Sequence, residues 1–277
     1  MAKEKKIKQD KNSMSFLGHL EELRWHLVRG FGAIFIVAIV LFIFQKEVYE
    51  DFLFAHKKTD FITYRFFCKA FDFIGIDSNF CIITFPDKLQ SLALTQQLMN
   101  SIWTSLILGF IITFPYILWE IWRFVAPGLH KNEIKRSRGF ILIASLLFFI
   151  GVAFSYYVIA PMSVYFFYNY QITDMIQNNF KMESYISLIT NTLLGVAIIF
   201  ELPVLIYFLT KIGLVTPEFL KKYRKHSLVL VLILAAIITP PDVASQIIVA
   251  IPILILYEVS IKISKMVIKK QQKRDAK

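Results

Sequence analysis

The sequence predicts an all-α membrane protein in which six transmembrane helices form a kinked, concave bundle with short fifth and sixth helices. Of its 277 residues, 56% are hydrophobic. A soluble domain of this size could not bury so much apolar surface, whereas a bilayer supplies an apolar solvent for it. Six apolar windows follow one another, and no strand-like alternation competes with them. The chain is therefore predicted to be one integral-membrane domain, residues 1–277.

The first apolar window covers residues 27–44. It is longer than the hydrophobic region of a secretory signal peptide, and no small-residue cleavage site follows it. We therefore expect a retained first span. Ahead of it, residues 13–26 place Phe16, Leu20 and Leu23 at helical spacing. This spacing predicts an amphipathic helix that lies at the cytoplasmic interface before the first span.

The remaining windows lie at residues 98–119, 140–168, 187–210, 228–239 and 247–263. Lys and Arg give the orientation, because 24 of these 31 residues fall in the segments 1–29, 123–138, 211–225 and 262–277. The positive-inside rule puts those segments and both termini of this multi-pass protein in the cytoplasm. Residues 46–93 are then a long periplasmic loop, and residues 264–277 are a basic cytoplasmic tail.

The fifth window is short. Crossing about 30 Å of hydrocarbon takes roughly 20 helical residues, whereas residues 227–239 supply about 20 Å at 1.5 Å per residue. We expect the bilayer to thin beside the hairpin that the fifth and sixth helices form. Alternatively, the turn at residues 240–241 lies deeper, sheltered by neighbouring helices.

Internal prolines remove backbone donors and kink helices. They stand at Pro115, Pro161, Pro203 and Pro252.

Both cysteines, Cys68 and Cys81, fall in the 46–93 segment. On the periplasmic side a disulfide between them is chemically permitted, and two free, inert thiols are the alternative. His56 is the one histidine near them. This set does not predict a metal site, and no cofactor is expected.

Ionisable groups within spans are candidates for function. Glu201 lies near the middle of the fourth span, where a charged carboxylate costs about 2.5–3.5 kcal/mol. It is either a polar contact for a partner helix or cavity water, or a neutral group bonded to a carbonyl freed by Pro203. Asp242 begins the sixth span as a helix cap. Gln246, four residues later, shares its face and extends a polar patch.

Two isolated acids stand out against the basic cytoplasmic surface, Glu22 and Glu133. Carboxylates on a cationic face can accept the forked donors of an arginine from a ligand, a geometry that lysine matches less well. Simpler roles remain open. Glu22 can support its helix by pairing with His26, as Glu21 can with Arg24, and Glu133 can favour a helix start.

Four ordered blocks resemble the TatC family. They are HLEELR at residues 19–24, EIWRFVAPGLHKNE at 120–133, FELPV at 200–204 and ITPPDVASQ at 238–246. The likeness extends from about residue 13 to residue 262. It implies a cup-shaped bundle of six helices that binds the twin-arginine signal peptides of folded export substrates at its cytoplasmic face. The 46–93 segment departs from this pattern, because it is longer than is usual in the family.

The resemblance also implies roles for single residues. Glu22 and Glu133 would accept the two arginines, Arg24 would shape the same helix, and Phe124 would line the signal-peptide surface. Glu201 would meet partner transmembrane helices inside the cup. Asp242 and Gln246 would belong to the hairpin where single-span subunits of the TatA/TatB type assemble into an oligomeric complex in lipid.

The chain is therefore expected to be the receptor and core subunit of a protein translocase. Transport would be driven by the proton motive force, since no phosphate-binding GxxxxGK[ST] segment is found. One rival is a proton-coupled transporter built on Glu201, although no internal repeat supports it. The other is an intramembrane enzyme, which lacks a nucleophile–base pair or an HExxH segment. We expect no enzymatic activity and no nucleic-acid partner.

Overall fold

The computed structural model describes residues 16–74, 85, 89–125, 131–173, 175, 179–238 and 243–275, and these residues confirm the all-α fold. Their helices are α1 (Phe16–Ile43), α2 (Gln45–Glu47), α3 (Ile62–Ile74), α4 (Gln96–Val125), α5 (Lys131–Phe154), α6 (Ala160–Asn169), α7 (Met182–Phe200), α8 (Leu202–Lys211), α9 (Pro217–Lys222), α10 (Arg224–Ile238) and α11 (Val243–Asp275). A π-helical turn, Val48–Leu53, and a 3-10 turn, Phe54–Lys57, follow α2.

Five helical stretches are long and apolar enough to cross a membrane: Leu20–Ile43, Gln96–Phe124, Ile141–Asn169, Met182–Lys211 and Gln246–Lys273. The fifth predicted span is α10, which has only 15 residues, so its predicted shortness is confirmed. We call the end of the bundle where α1 begins and α4 and α11 end the basic end. We call the opposite end, which carries residues 48–57 and 62–74, the cap end.

Two element boundaries differ from the sequence prediction. The amphipathic segment is not a separate helix, because α1 continues through Phe16–Ile43 without a break. The sixth helix is not short, because α11 has 33 residues and includes most of the predicted basic tail. Its extension is held by packing: Ile261 clusters with Ile206 and Leu220. A helix can continue beyond its apolar stretch when one face remains buried against neighbours.

A close crossing joins α1 to α4. A Cβ added at Gly109 would lie 3.1 Å from the Ile34 carbonyl oxygen and 3.3 Å from the Ala38 Cβ. A residue without a side chain therefore lets the two backbones approach, as small residues do in membrane helix pairs. This contact fixes the rotation of α1 and so decides which of its side chains face α4.

The segment predicted as a long loop is largely helical where it is described. We call residues 48–57 and 62–74 the cap. The cap packs on the π-helical turn Ser155–Ile159 that joins α5 to α6. Pro161 lacks an N–H, so the carbonyl of Tyr157 loses its α-helical donor. The Thr63 hydroxyl donates to that carbonyl instead.

Three further hydrogen bonds anchor the cap. The His56 Nε2 donates to the Tyr156 carbonyl at 2.9 Å, and the Tyr64 hydroxyl donates to the Pro161 carbonyl at 3.0 Å. The Tyr185 hydroxyl, on α7, donates to the Leu53 carbonyl at 3.0 Å. These bonds satisfy backbone carbonyls of the cap and of the helices beneath it, as buried polar groups require.

The fourth span is broken at Glu201, between α7 and α8. The break follows from Pro203, which cannot donate to the helical ladder. Beyond it, α8 lies along α11, and the Thr210 hydroxyl donates to the Ser264 Oγ at 2.9 Å. This buried bond sets the vertical register of the last helix against the fourth span.

Candidate functional site

The basic end is organised around Glu120, which is only 2% exposed. The Tyr116 hydroxyl, one turn earlier on α4, donates to Glu120 Oε1 at 2.9 Å. From α1, His26 Nδ1 donates to Glu120 Oε2. Two guanidinium groups add charge, with Arg123 Nη1 at 3.5 Å and Arg29 Nη1 at 3.8 Å. The buried carboxylate therefore locks α1 to α4 through bonds from both helices.

Glu22 lies one turn before His26 on α1 and is half-buried. Its Oε2 atom is shielded from solvent and has no hydrogen-bond donor among the described residues. The predicted alternative, in which His26 pairs with Glu22, is wrong because His26 turns to Glu120 across the helix pair. A buried acceptor without a donor is unfavourable on its own. The Glu22 Oε2 atom can therefore accept a hydrogen bond from a ligand.

Phe124 packs against His26. It is half-buried at the end of α4, and its ring meets the His26 ring edge-on, with centroids 6.2 Å apart. Glu22, His26 and Phe124 therefore share one surface between α1 and α4. Arg24 is exposed, and its guanidinium stacks over the Trp25 ring at 5.6 Å. It makes no described ion pair with Glu21.

Glu133 lies in the first turn of α5, and its side chain is outside the described part of the structure. The proximity of Glu133 to Glu22 is therefore still a prediction. Its placement at a helix start agrees with the simpler role considered for it, since a carboxylate there complements the helix dipole.

Glu201 forms a second site, at the break in the fourth span. It is half-buried, and its Oε1 atom is shielded from solvent with no donor among the described residues. The Glu201 carbonyl accepts the backbone N–H groups of Val204 and Leu205 at 3.0 and 2.9 Å. The side chain itself makes no described bond to a carbonyl freed by Pro203. An unmatched carboxyl between helices is a functional candidate.

Gln246 lies on α11 near the α10–α11 hairpin, where its Nε2 donates to the Leu232 carbonyl at 3.0 Å. It therefore ties the two helices of the hairpin together. Asp242 lies outside the described residues. Cys68 lies on α3 and is disulfide-bonded. Cys81, the one other cysteine of the sequence, lies outside the described residues. Within the described ranges, no cluster of three His, Cys, Asp or Glu side chains could hold a metal ion.

Sequence reasoning missed the most buried acid of the basic end. Glu120 belongs to the block at residues 120–133, but no role was predicted for it from the sequence. Tyr116, Arg29 and Arg123 were not singled out either. A signal was present, because Glu120 is the one acidic residue of an apolar stretch of thirty residues. Such an acid demands a buried partner. The partner could not be identified, because His26 is 94 positions away in the chain.

Comparisons with known proteins agree on one family. A family model described as Sec-independent protein translocase protein (TatC) matches residues 18–252. The TatC of Blattabacterium sp. subsp. Periplaneta americana is 42% identical over 266 residues, covering 96% of this chain and 100% of its relative. The TatC of Aquifex aeolicus is 31% identical over 261 residues, covering 94% and 98%.

Solved structures give the same result. A crystal structure of the twin-arginine translocase receptor TatC superposes with a TM-score of 0.65 at 31% identity, covering 90% of this chain and 99% of that chain. A second crystal structure of this receptor, in the detergent DDM, gives a TM-score of 0.67 at 32% identity, covering 88% and 97%. At this identity the likeness extends from the fold to the family.

Proposed function

Since this chain belongs to the TatC family, we propose that it binds twin-arginine signal peptides at its basic end. It is a multi-pass protein of the bacterial inner membrane and a component of the Sec-independent translocase. In this role it receives folded proteins for export across the cytoplasmic membrane, and the proton motive force drives their passage.

The observation that carries the receptor role is the unmatched Oε2 atom of Glu22. Arginine is the side chain best suited to fill it, because a guanidinium presents parallel N–H donors that match a carboxylate. Glu120 fixes the helix that carries Glu22 by holding His26. The acceptor is thus held in place before a peptide arrives, which lowers the entropy cost of binding.

Glu133 and Phe124 complete the proposed surface. Glu133 supplies the second acceptor for the arginine pair from the start of α5, and Arg24 helps to shape the helix that carries Glu22. The Phe124 ring, already packed beside His26, offers an apolar face to the signal peptide. Aromatic anchors of this kind contribute strongly at binding surfaces.

We propose that single-span subunits of the TatA/TatB type meet this chain away from the peptide surface. The unmatched Oε1 atom of Glu201 supports a polar contact with a partner helix at the break in the fourth span. Gln246 and Asp242 mark a second contact region at the α10–α11 hairpin. A partner bringing a donor to Glu201 would offset the desolvation that this carboxyl carries alone.

The receptor role is tested by crosslinking a photoreactive twin-arginine signal peptide to the membrane-embedded protein. Replacing Glu22→Gln should reduce the crosslink about tenfold, since a charge-assisted hydrogen bond of 1.5–3 kcal/mol is lost. Glu21→Gln is the matched control, because Glu21 is exposed on the same helix. It should crosslink as the wild type does.

A peptide with two lysines in place of the arginines sharpens this test. If Glu22 receives an arginine, Glu22→Gln should add little to the loss already caused by that peptide. Equal crosslinking of the arginine peptide to Glu22→Gln and to wild type would show that recognition lies elsewhere on the basic end.

A further inference from the structure

A cavity of about 420 Å³ lies at the cap end, far from the signal-peptide surface. Three spans meet there: α1 has just ended, and α4 and α7 begin. Two bonds fix α7 against α4 and the segment before it. Gln96 Nε2 donates to Glu183 Oε2 at 2.9 Å, and the Met182 N–H donates to the Gln90 carbonyl at 2.9 Å. The walls of the cavity that α4 and α7 supply are therefore held together.

The lining contains both charged and apolar residues. It consists of Gln45, Lys46, Tyr49, Glu50, Phe54, Gln97, Leu98, Ser101 and Met182. Lys46 and Glu50 are exposed and lie one turn apart, and none of the described ion pairs joins them. One cation and one anion therefore line the same cavity. Gln45 and Gln97 add amide donors and acceptors.

Two residues of the lining are themselves buried. Tyr49 is 9% exposed and Ser101 is 8% exposed. The Tyr49 hydroxyl is held at 3.4 Å from the Thr104 Oγ1. On the other side, Leu98 is half-exposed on the lipid-facing surface of α4, and Phe54 packs beside Tyr49 with ring centroids 5.8 Å apart. The lining therefore combines charged and amide groups with apolar side chains.

The depth of the cavity indicates what fills it. The apolar stretch of α1 ends at Ile43, and the stretches of α4 and α7 begin at Gln96 and Met182. The cavity thus straddles the boundary between hydrocarbon and headgroups. A volume of this size suits a small polar molecule rather than a folded partner. At this depth the abundant molecule with a charged head and an apolar body is a phospholipid.

We propose that this cavity binds the headgroup of a zwitterionic phospholipid, phosphatidylethanolamine in type, with its phosphate at Lys46 and its ammonium at Glu50. The Gln45 and Gln97 amides are within the same lining and complete the contacts to the phosphate oxygens. The glycerol and the first acyl carbons lie over Leu98. This site does not depend on the signal-peptide role.

The test uses the full chain, purified in detergent and mixed with equal amounts of phosphatidylethanolamine and phosphatidylglycerol. Bound lipid is counted by native mass spectrometry. Wild type should retain phosphatidylethanolamine about fivefold better, because phosphatidylglycerol has no ammonium. Glu50→Gln should abolish this preference. Lys46→Gln should reduce retention of both lipids about tenfold, as expected when a charge-assisted contact is lost.

The matched control replaces one acid and one base that lie nearby but outside the lining. Glu47→Gln with Lys58→Gln has the same change in charge as Lys46→Gln with Glu50→Gln, and both control residues are exposed. The control should retain lipid as wild type does. Unfolding midpoints measured without added lipid should be equal for all variants, which excludes misfolding as the cause.

Three outcomes would overturn the proposal. One is wild-type retention of lipid by Lys46→Gln with Glu50→Gln. Another is a wild type that does not prefer phosphatidylethanolamine. The third is a variant that keeps its lipid but loses a co-purifying single-span subunit, which would make the cavity a contact for that partner.

Discussion

At the scale of the residue, buried polar groups in this chain fall into two kinds. Glu120 and His56 are nearly inaccessible, and each has its hydrogen-bond partners within the fold. Glu22 and Glu201 each keep one shielded oxygen without a donor among the described residues. Buried groups that have hydrogen-bond partners hold helices together, whereas buried oxygens without a donor can accept a hydrogen bond from a ligand. This difference separates Glu120, which joins helices, from Glu22 and Glu201, which we propose to be recognition acids.

His56 gives a prediction at this scale. Burial lowers the pKa of His56 below its ordinary value of 6.5, so the folded chain keeps the ring neutral where the unfolded chain takes up a proton. Stability is therefore lost as the pH falls below about 6.5, by up to about 2 kcal/mol at pH 5. The unfolding midpoint in detergent should drop from pH 8 to pH 5, and His56→Gln should flatten that drop.

An exposed histidine provides the control for this pH dependence. His226 is exposed near the start of α10, so His226→Gln should keep the full wild-type drop. A drop of the same size in His56→Gln as in wild type would assign the pH dependence to other groups.

At the scale of the element, helix crossings depend on single glycines. Gly109 brings α4 against α1, as the Ile34 carbonyl at 3.1 Å shows. Gly151 of α5 is tighter, because a Cβ there would lie 2.9 Å from the Ala197 Cα of α7. Without a hydrophobic drive between helices in lipid, close packing of this kind supplies much of their association. The cap adds hydrogen bonds to the same bundle.

Gly151 therefore predicts a large effect from a small change. Gly151→Ala should destabilise the protein by about 1–3 kcal/mol, since the new methyl group forces α5 and α7 apart. The matched control is Gly139→Ala on the same helix, where nothing lies within 4 Å. It should be neutral or stabilising by up to about 1 kcal/mol, because alanine favours a helix.

Unfolding in detergent, followed by circular dichroism, measures both variants. Equal stability of Gly151→Ala and Gly139→Ala would contradict the close crossing of α5 and α7.

At the scale of the whole molecule, the register of α11 decides how far the α10–α11 hairpin reaches. The Thr210–Ser264 bond aligns α8 with α11. At 1.5 Å per residue, Val243 lies about 31 Å from that level, whereas Met182 at the start of α7 lies about 42 Å away. The described start of α11 therefore lies roughly 10 Å nearer to that level than the start of α7. We expect a bilayer that follows the protein to thin beside the hairpin.

This geometry predicts unequal hydration of two matched positions. Ile251 on α11 and Ile198 on α7 lie at similar heights from the Thr210–Ser264 level, and each is 53% exposed. We expect a spin label at Ile251→Cys to be about twofold or more accessible to a water-soluble paramagnetic relaxant than one at Ile198→Cys, because thinner bilayer admits the relaxant further.

The labels are placed in a background in which Cys68 and Cys81 are replaced by serine, and the protein is reconstituted in a bilayer. Equal accessibility at Ile251→Cys and Ile198→Cys would indicate that the bilayer keeps its thickness and that the hairpin is sheltered by neighbouring helices.

The sequence by itself determined the class of this protein, the number of its spans and the shortness of α10. The length of each apolar stretch and the distribution of basic residues are local properties of the sequence. They determine directly which segments cross a bilayer and in which orientation. It also singled out Glu22 and Glu201 as candidates, because an acid on a basic face or within a span is exceptional wherever its neighbours lie.

Only the tertiary structure decided which polar groups are paired. It joined His26 to Glu120 instead of Glu22, folded the cap onto the π-helical turn, and extended α11 along α8. These outcomes depend on the rotation and vertical register of one helix against another. Contacts such as those at Gly109 and Thr210 set this rotation and register. The periodicity of a single helix does not contain information about its contacts with another helix.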